Sequence, residues 1–341
     1  MKNIVKSIIF FNFFNQVFNK ASKTMNKKSI ALLTTSLLTV FTFSNFNTRY
    51  NAKAQTVTPK TSAPKYTSFE NAKDLGLTSK GEAFQPKNLP QSNRPDKGKG
   101  TRGVIGWDDR IPMLSRDYPW SAIGRVQGFD RGGKGYHCTG TLISSDVVLT
   151  NAHCVIDPKT RQFSQKILFL PNVINAEVKN QSDVAQVEGV IYGTDFSGSP
   201  LENQTNDWAL LKLNKPIGLK YGYLGWKTLP SSTLMKNRNK YVFVGYSGDF
   251  PDNNRKGYEF FTAGQGWTAS VHQGCSIVQE EQNRLLHDCD TTGGASGGAI
   301  IAVIGGKPQI VALHHAGLKQ NGRGIVNFAV KIDFLDRFSS R

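Results

Sequence analysis

The stretch DTTGGASGGA, residues 290–299, is followed by the apolar run IIAVI, residues 300–304. Small residues flank Ser296 on both sides, and the apolar run predicts a buried strand that begins near Ala299. Glycines in such a turn let the backbone take unusual angles and let a ligand approach closely. The stretch predicts a serine on a tight turn at the mouth of a strand. It is either a plain turn between strands or the site of a nucleophile that needs a histidine base.

Two further polar residues lie at the ends of predicted strands. His153 follows the strand candidate at 146–150, and Asp207 precedes the apolar strand candidate at 208–213. Each of them alone fits the cap of a turn. Together with Ser296 they supply a nucleophile, a base and an acid that orients the base. We therefore predict His153, Asp207 and Ser296 as catalytic residues.

Short apolar segments with a period of two recur between residues 121 and 330. Turn residues, such as the glycines at 132–133 and the polar run at 251–254, separate these eleven strand candidates. This pattern predicts an all-β barrel or sandwich. Residues 331–339 have the apolar spacing of an amphipathic helix, which predicts a C-terminal helix.

The net charge of the 341-residue chain is +17, and it is unevenly distributed. Residues 1–103 hold 17 Lys and Arg against 4 Asp and Glu, whereas residues 104–341 hold 25 against 21. The basic residues are spread along the first third and are not clustered with aromatic residues. This distribution argues against a nucleic-acid-binding surface.

The N-terminal region has the features of a secretory signal peptide. No acidic residue precedes Glu70, two lysines precede an apolar run at 30–43, and AKA at 52–54 fits a cleavage site. The run is too short for a comfortable membrane span. We expect a signal region over residues 1–54, with Met25 as an alternative start. An organelle transit peptide is the other interpretation, since such peptides also lack acidic residues.

Residues 55–103 are polar and rich in Lys, Pro, Ser, Thr and Gly. A segment with so few apolar residues predicts a flexible pro-segment. We expect the folded domain to cover residues 104–341.

The predicted folded domain contains four cysteines: Cys138, Cys154, Cys275 and Cys289. An even number in an exported chain indicates two disulfides, and proximity in sequence favours the pairs 138–154 and 275–289. Zinc binding is an alternative, because His272 and His287 lie close to the last two cysteines.

The three candidate blocks resemble those of the chymotrypsin-like serine peptidases. The blocks are Thr150–Cys154, Asp207–Leu211 and Gly294–Gly298, in the order histidine, aspartate, serine. The resemblance covers residues 104–341. It implies two six-stranded antiparallel β-barrels, the first over about 104–220 and the second over about 221–341, with the triad in the cleft between them. It also implies an oxyanion hole made by the N–H groups of Gly294 and Ser296.

Ala295 departs from the digestive members of this family, which carry an aspartate there that pairs with the new N-terminus. Activation by processing must then work differently. VIGWDDR at 104–110 resembles the start of mature bacterial glutamyl endopeptidases, and Thr291 and His314 match that branch. The resemblance implies that both residues bind a substrate glutamate, assisted by the α-amino group of Val104 after a cut behind Gly103.

Asp290 supports a different specificity. It lies six residues before Ser296, where trypsin-type enzymes carry the acid that binds Arg or Lys. The sequence thus allows a glutamate or an Arg/Lys preference, and the match at Thr291 and His314 favours glutamate.

The sequence predicts a secreted serine endopeptidase, made as a precursor, that acts on protein or peptide substrates. A binding protein with this fold and no activity is an alternative, although such proteins usually lack a triad member. We predict no metal, because 249–254 lacks the spacing of a calcium loop. We also predict no cofactor, because nothing in the sequence indicates a nucleotide, a flavin or another cofactor. We also expect no nucleic-acid partner and no stable membrane association after removal of the signal. The number of subunits stays open.

Overall fold

Short extended segments make up most of the described chain, which covers residues 62–72, 77, 79–92, 103–105, 107–320 and 323–339 of a computed structural model. The predicted signal region, 1–54, lies outside the described residues.

The strands, in chain order, are β1 (Lys65–Ser68), β2 (Gly103–Ile105), β3 (Trp107–Asp108), β4 (Arg110–Pro112), β5 (Ile123–Phe129), β6 (Gly135–Leu142), β7 (Val147–Thr150), β8 (Lys166–Pro171), β9 (Ala185–Tyr192), β10 (Ala209–Leu213), β11 (Gly225–Trp226), β12 (Tyr241–Gly245), β13 (Ser270–Cys275), β14 (Ile277–Glu281), β15 (Arg284–His287), β16 (Ala299–Ile304), β17 (Lys307–Gln320) and β18 (Arg323–Val330). The helices of the described chain are α1 (Pro200–Thr205), α2 (Gly218–Tyr221), α3 (Ser231–Lys236) and α4 (Asp336–Ser339). The predicted C-terminal helix is shorter than expected, since a 3-10 turn at Asp333–Leu335 precedes α4.

The first sheet closes into a barrel. Its order is β1-β9-β10-β7-β6-β5-β8, and β8 also pairs with β9, so six strands form a ring with β1 outside it. Buried and half-buried residues alternate along β8, with Ile167 and Phe169 fully buried, as expected where one face of a strand lines a core. All pairs within the ring are antiparallel.

The second sheet has the order β14-β15-β18-β17-β16-β12-β13-β4, with β11 beside β17. The strands β13 and β14 lie near opposite ends of this order, yet only Ser276 separates them in the chain. The sheet is therefore curled, so that its two ends lie close together. The all-β prediction is confirmed, with one closed antiparallel barrel of six strands and a second sheet of nine strands where the resemblance implied another barrel. The strand β4 pairs with β13 of the second sheet, although it lies within the range, 104–220, that we assigned to the first barrel.

Described residues between 62 and 92 pack against both sheets, within the range 55–103 over which the sequence predicts a flexible pro-segment. The strand β1 runs parallel to β9, from Lys65 opposite Gly189 to Ser68 opposite Tyr192. Further along, the backbone of Phe84 bonds that of Tyr223 in both directions, at 2.9 and 3.0 Å. The segment is polar on average, but it contains a few well-spaced aromatic residues that pack against the folded domain.

Within the part of the chain that is described, no helix is long and apolar enough to cross a membrane.

Candidate active site

His153 and Asp207 make two hydrogen bonds to each other. The Nδ1 atom of His153 lies 2.7 Å from Oδ2 of Asp207, and the backbone N–H of His153 donates to Oδ1 at 2.9 Å. The aspartate side chain is buried and the histidine is half-buried. Asp207 therefore fixes both the position of the histidine backbone and the orientation of the ring.

Pairing of strands β7 and β10 brings these two residues together from 54 positions apart in sequence. Ala209, two residues after Asp207, lies opposite Thr150, three residues before His153. The side chain of Asn151 links the two strand ends, since its Nδ2 donates to the carbonyl of Asp207 at 2.6 Å. The site thus begins where two adjacent strands of the first barrel end.

The pair shifts the pKa values of both side chains. Burial alone would lower the pKa of His153, but the charge of Asp207 and the hydrogen bond to it raise that pKa above its ordinary value. Burial alone would raise the pKa of Asp207, but His153 and His315 hold it well below its usual range. The aspartate is therefore ionised at neutral pH and stabilises a proton on the imidazole.

Ser296 lies on the turn before β16 and is anchored to the first barrel. Its carbonyl accepts a hydrogen bond from the N–H of Thr139 in β6 at 2.8 Å. The Sγ atom of Cys154, next to His153, lies 3.8 Å from the same carbonyl. The Ser296 hydroxyl lies 3.5 Å from the carbonyl of His315, whose own Nδ1 is 3.5 Å from Asp207 Oδ2. His315 thus contacts both the serine turn and the aspartate of the histidine–aspartate pair.

Gly294 has a conformation that glycine accommodates, with φ of +94°. A Cβ atom there would lie 2.3 Å from Nε2 of His137 and 2.6 Å from the carbonyl of Tyr246. The carbonyl of Gly294 accepts a hydrogen bond from Oγ1 of Thr139 at 3.0 Å. Among the described residues, the N–H groups of Gly294 and Ser296 have no acceptor. They are available to a developing negative charge.

A cavity of about 230 Å³ opens beside Ser296. Thr291 and His314 are among the residues that line it, together with Asn327 from β18. The structure therefore brings two of the predicted substrate-binding residues to one cavity with the serine.

Asp290 does not line this cavity. Its side chain is 1% exposed, and it accepts a hydrogen bond from the N–H of Asp109 at 3.0 Å. Its carboxylate also lies 3.3 Å from Nδ1 of His272. The Asp290 side chain thus lies outside the cavity that Thr291 and His314 line, although Asp290 is adjacent to Thr291 in sequence.

Val104 lies within β2, and the chain runs through it unbroken from Gly103. The nitrogen of Val104 is therefore a peptide nitrogen in this chain. The strand β2 lies beside β18, which supplies Asn327 to the cavity wall.

A sequence model of the trypsin-like peptidase domain matches residues 138–308, which include His153, Asp207 and Ser296. The chain belongs to the trypsin-like peptidase domain family.

Curated relatives of this peptidase chain include the glutamyl endopeptidase of Bacillus licheniformis, 27% identical over 229 residues. That match covers 66% of this chain and 63% of the relative. Serine protease 23 of Homo sapiens is also 27% identical, over 66% of this chain and 56% of the relative. The matches therefore span less than two thirds of the length of both relatives.

A solved structure of a Glu endopeptidase in complex with MPD shares the fold, with a TM-score of 0.53. It is 23% identical in sequence and covers 70% of this peptidase chain and 100% of its own. At that identity the comparison bears on the fold alone.

Both predicted disulfides of the peptidase are present, Cys138–Cys154 and Cys275–Cys289. This excludes the zinc alternative, because the sulfurs that would bind the metal are bonded to each other. The first disulfide joins β6 to the turn that carries His153, and so it ties the histidine to the strand that anchors the serine turn.

Three histidines that our sequence interpretation did not place in the site surround it. His287 lies behind the cavity, and its Nε2 is 3.1 Å from Nδ1 of His314. His315 faces Asp207, and His137 packs under Gly294. Burial lowers the pKa of His287 to about 3 and, with help from the charge of Arg125, lowers that of His137 to about 4. The sequence carries no spacing signal for these contacts, because each one crosses between strands.

Asp109, His272 and Asp290 have ligand-type atoms within 4.8 Å of one another. The Nδ1 atom of His272 already accepts the N–H of Asp290 at 2.9 Å.

Proposed function

We propose that this chain is a serine endopeptidase that hydrolyses peptide bonds in protein or peptide substrates through Ser296, His153 and Asp207. Membership of the trypsin-like family supports the reaction class. The proposal rests on one observation. Two hydrogen bonds hold His153 to Asp207, next to a serine turn whose N–H groups are available. A histidine held in this way is prepared to act as a base.

In the proposed reaction, Nε2 of His153, the ring nitrogen that Asp207 does not hold, takes the proton of the Ser296 hydroxyl. The Oγ atom attacks the peptide carbonyl, and His153 then gives the proton to the leaving amine. Asp207 stabilises the imidazolium, which agrees with the raised pKa of His153. Water hydrolyses the acyl-enzyme by the same steps.

The N–H groups of Gly294 and Ser296 would bind the oxyanion of the tetrahedral intermediate. Such donors stabilise the transition state more than the substrate, because the charge develops only there. The peptide between them is held in place by Thr139, through the carbonyl of Gly294.

We further propose a preference for glutamate before the cleaved bond. The hydroxyl of Thr291 and the imidazole of His314 line the cavity, whereas the Asp290 carboxylate is directed to Asp109 and His272. Burial, together with the neighbouring His287, lowers the pKa of His314 well below its ordinary value, so the ring is neutral. If His287 donates to Nδ1 of His314, then Nε2 of His314 carries a proton for a substrate carboxylate. After a cut behind Gly103, the amine of Val104 would add a positive charge beside β18.

A cleavage map tests both parts of the proposal. The processed protein and a Ser296→Ala control are incubated with an unfolded protein mixture, and mass spectrometry identifies the new termini. We expect cuts after Glu that are absent from the control. Cuts after Arg or Lys would replace the glutamate proposal with the Asp290 alternative. If a fluorophosphonate labels Ser296 in the wild-type protein but not in His153→Ala, the inactive binding protein is excluded.

We also propose that the protein is exported and made as a precursor. The leader-like features of residues 1–54 and the two disulfides support export. Sequencing of the N-terminus of the exported protein tests this proposal, and a mature start at Val104 is expected. An intact N-terminus at Met1 in active protein would contradict it.

A further inference from the structure

The described residues between 62 and 92, which we call the strap, bind both sheets along a surface that does not include the site. Every described contact of the strap lies before residue 93, at least ten residues from the proposed cut behind Gly103. A cut at Gly103 would therefore remove none of these contacts. This raises the question of whether the strap leaves after processing.

The first anchor is a strand. The strand β1 extends the first sheet by pairing with residues 189–192 of β9, whereas β8 pairs with the other end, at Ala185 and Gln186. Backbone pairing at a sheet edge is a common mode of peptide recognition, because it satisfies N–H and C=O groups on both chains.

The second anchor is Phe69. Its ring lies edge-on to Trp208, with centroids 4.8 Å apart, and the guanidinium of Arg337 lies 4.2 Å from its centroid. Arg337 also donates to the carbonyls of Phe69 and Ala72, at 2.9 and 3.2 Å. The strap thereby joins α4 to Trp208, the residue that follows Asp207.

The third anchor joins the strap to the second half of the molecule. The rings of Phe84 and Tyr223 stack at 5.2 Å, and the N–H of Trp226 donates to the carbonyl of Gly81 at 3.1 Å. At the end of the strap, Nε1 of Trp120 donates to the carbonyl of Ser92 at 2.9 Å. The three anchors together contact both sheets.

Tyr66 connects the strap to the neighbourhood of His153. Its hydroxyl lies 3.0 Å from the carbonyl of Ser164 and 3.3 Å from that of Val155, and its ring packs on Phe163 at 4.4 Å. The segment 157–164 lines a cavity of about 570 Å³ that also includes His153. The residues that line the smaller cavity beside Ser296 all come from 291–327. A bound strap therefore supports one wall near His153 and leaves the other cavity open.

We propose that the strap stays bound as a separate, non-covalent chain after the cut behind Gly103, and that Tyr66 positions the segment 157–164 beside His153. The position of the cut rests on the proposed function, whereas binding of the strap does not. The partner of this surface is thus a segment of the same chain, retained as a structural part of the mature protein.

The first experiment needs no peptidase activity. In a Ser296→Ala chain, residues 94–99 are replaced by the recognition sequence of a site-specific protease, and the cut protein is analysed at about 1 μM by gel filtration and native mass spectrometry. We expect the N-terminal fragment to remain in a one-to-one complex and to separate only in denaturant. Elution of the fragment apart from the barrels would overturn the proposal.

Variants test the anchors. The double change Phe69→Ala with Arg337→Gln should release the fragment under the same conditions, whereas Lys87→Ala, an exposed strap residue, should not. Retention of the fragment by the double variant would contradict the role assigned to these contacts. A retained strap in a protein without peptidase activity would leave this inference standing and remove the proposed function.

The role of Tyr66 is tested in the active protein with Tyr66→Phe. We expect KM to rise several-fold for peptides that extend beyond the cleaved bond, with little change in kcat. Substrates whose leaving group is a small chromophore should show no change in KM. An equal change for both kinds of substrate would indicate a merely structural role.

Discussion

The imidazole of His137 occupies the space that a side chain at Gly294 would need, since a Cβ there would lie 2.3 Å from its Nε2. His137 comes from β6 of the first barrel, and Gly294 comes from the serine turn that precedes β16 of the second sheet. The Nε2 atom of His137 is itself held 2.9 Å from the carbonyl of Tyr246. A side chain of the first barrel therefore limits the space at the oxyanion turn.

Gly294→Ala should move the turn and displace the N–H of residue 294 from the oxyanion. We expect kcat to fall about 10²–10³-fold, the effect of losing one such donor. Gly293→Ala is the matched control, because a Cβ at 293 meets nothing within 4 Å. Equal losses in both variants would show that the turn tolerates no side chain at all and would remove this explanation.

Asp207→Asn should keep the shape of the site but lose the charge that stabilises the imidazolium. We expect kcat/KM to fall about 10⁴-fold near neutral pH. In the wild-type protein, activity should rise as pH increases through the raised pKa of His153, since only the neutral ring accepts a proton. Asp146→Asn, which removes a charge paired with Lys212 at the surface, should leave the rate unchanged. A wild-type rate for Asp207→Asn would refute the catalytic assignment.

His314→Gln should reduce the preference for glutamate over glutamine before the cleaved bond. A charge-assisted hydrogen bond contributes about 1.5–3 kcal/mol, so the ratio of kcat/KM values for Glu and Gln peptides should fall about 10–100-fold. Thr291→Val should act in the same direction. Asp290→Asn should leave the ratio unchanged, and a large change in that variant would mean that Asp290 reaches the substrate.

Removal of the two disulfides should have separable effects. Each closes a short loop, and the chain-entropy model gives about 3 kcal/mol of stability for a 15-residue loop. The double changes Cys138→Ala/Cys154→Ala and Cys275→Ala/Cys289→Ala should lower the free energy of unfolding by similar amounts. Only the first should also lower kcat, because Cys154 is adjacent to His153 and contacts the Ser296 carbonyl. Urea unfolding measures the loss of stability in each double variant, and steady-state kinetics measure kcat. Equal kcat values in the two variants would count against a positioning role for the Cys138–Cys154 disulfide.

Buried neutral histidines should make the fold sensitive to acid. The folded-state pKa of His287 is lowered to about 3, and that of His137 to about 4, from an ordinary value of 6.5. The unfolded chain binds protons on both below pH 6.5, whereas the folded chain does not, so stability falls as pH decreases from about 6.5 towards 3. The fully buried His287 contributes a slope of at most about 1.4 kcal/mol per pH unit.

His287→Gln should therefore flatten the dependence of unfolding free energy on pH between 4.5 and 6. His137→Gln should act in the same direction. Urea unfolding at several pH values measures the slope, and a slope that neither variant changes would assign acid sensitivity to other groups.

Several strands and the three candidate catalytic residues could be predicted because their signals are local. The alternation in β8, the apolar run of β16 and the polar residues at strand ends are visible in single stretches of sequence. The hairpin β14–β15 is not among the strands that the sequence predicts, because each of its strands has only two adjacent apolar residues, at 277–278 and 285–286, and no alternation. In the turn of this hairpin, Gln282 and Asn283 have φ of 49° and 63°. Asparagine is common at such left-handed angles but glutamine is not, so this pair does not indicate a turn.

The sequence by itself determined the all-β class and the candidate residues His153, Asp207 and Ser296, since short-range patterns encode them. It favoured the two disulfide pairs by proximity, and the structure contains both. Only the tertiary structure decided that Asp290 lies away from the cavity and that His287 lies behind His314. It also decided that the described residues between 62 and 92 pack on both sheets. The reason is physical. Side-chain contacts between strands depend on register and on how the sheets curl, and no local pattern of residues records which distant groups then meet.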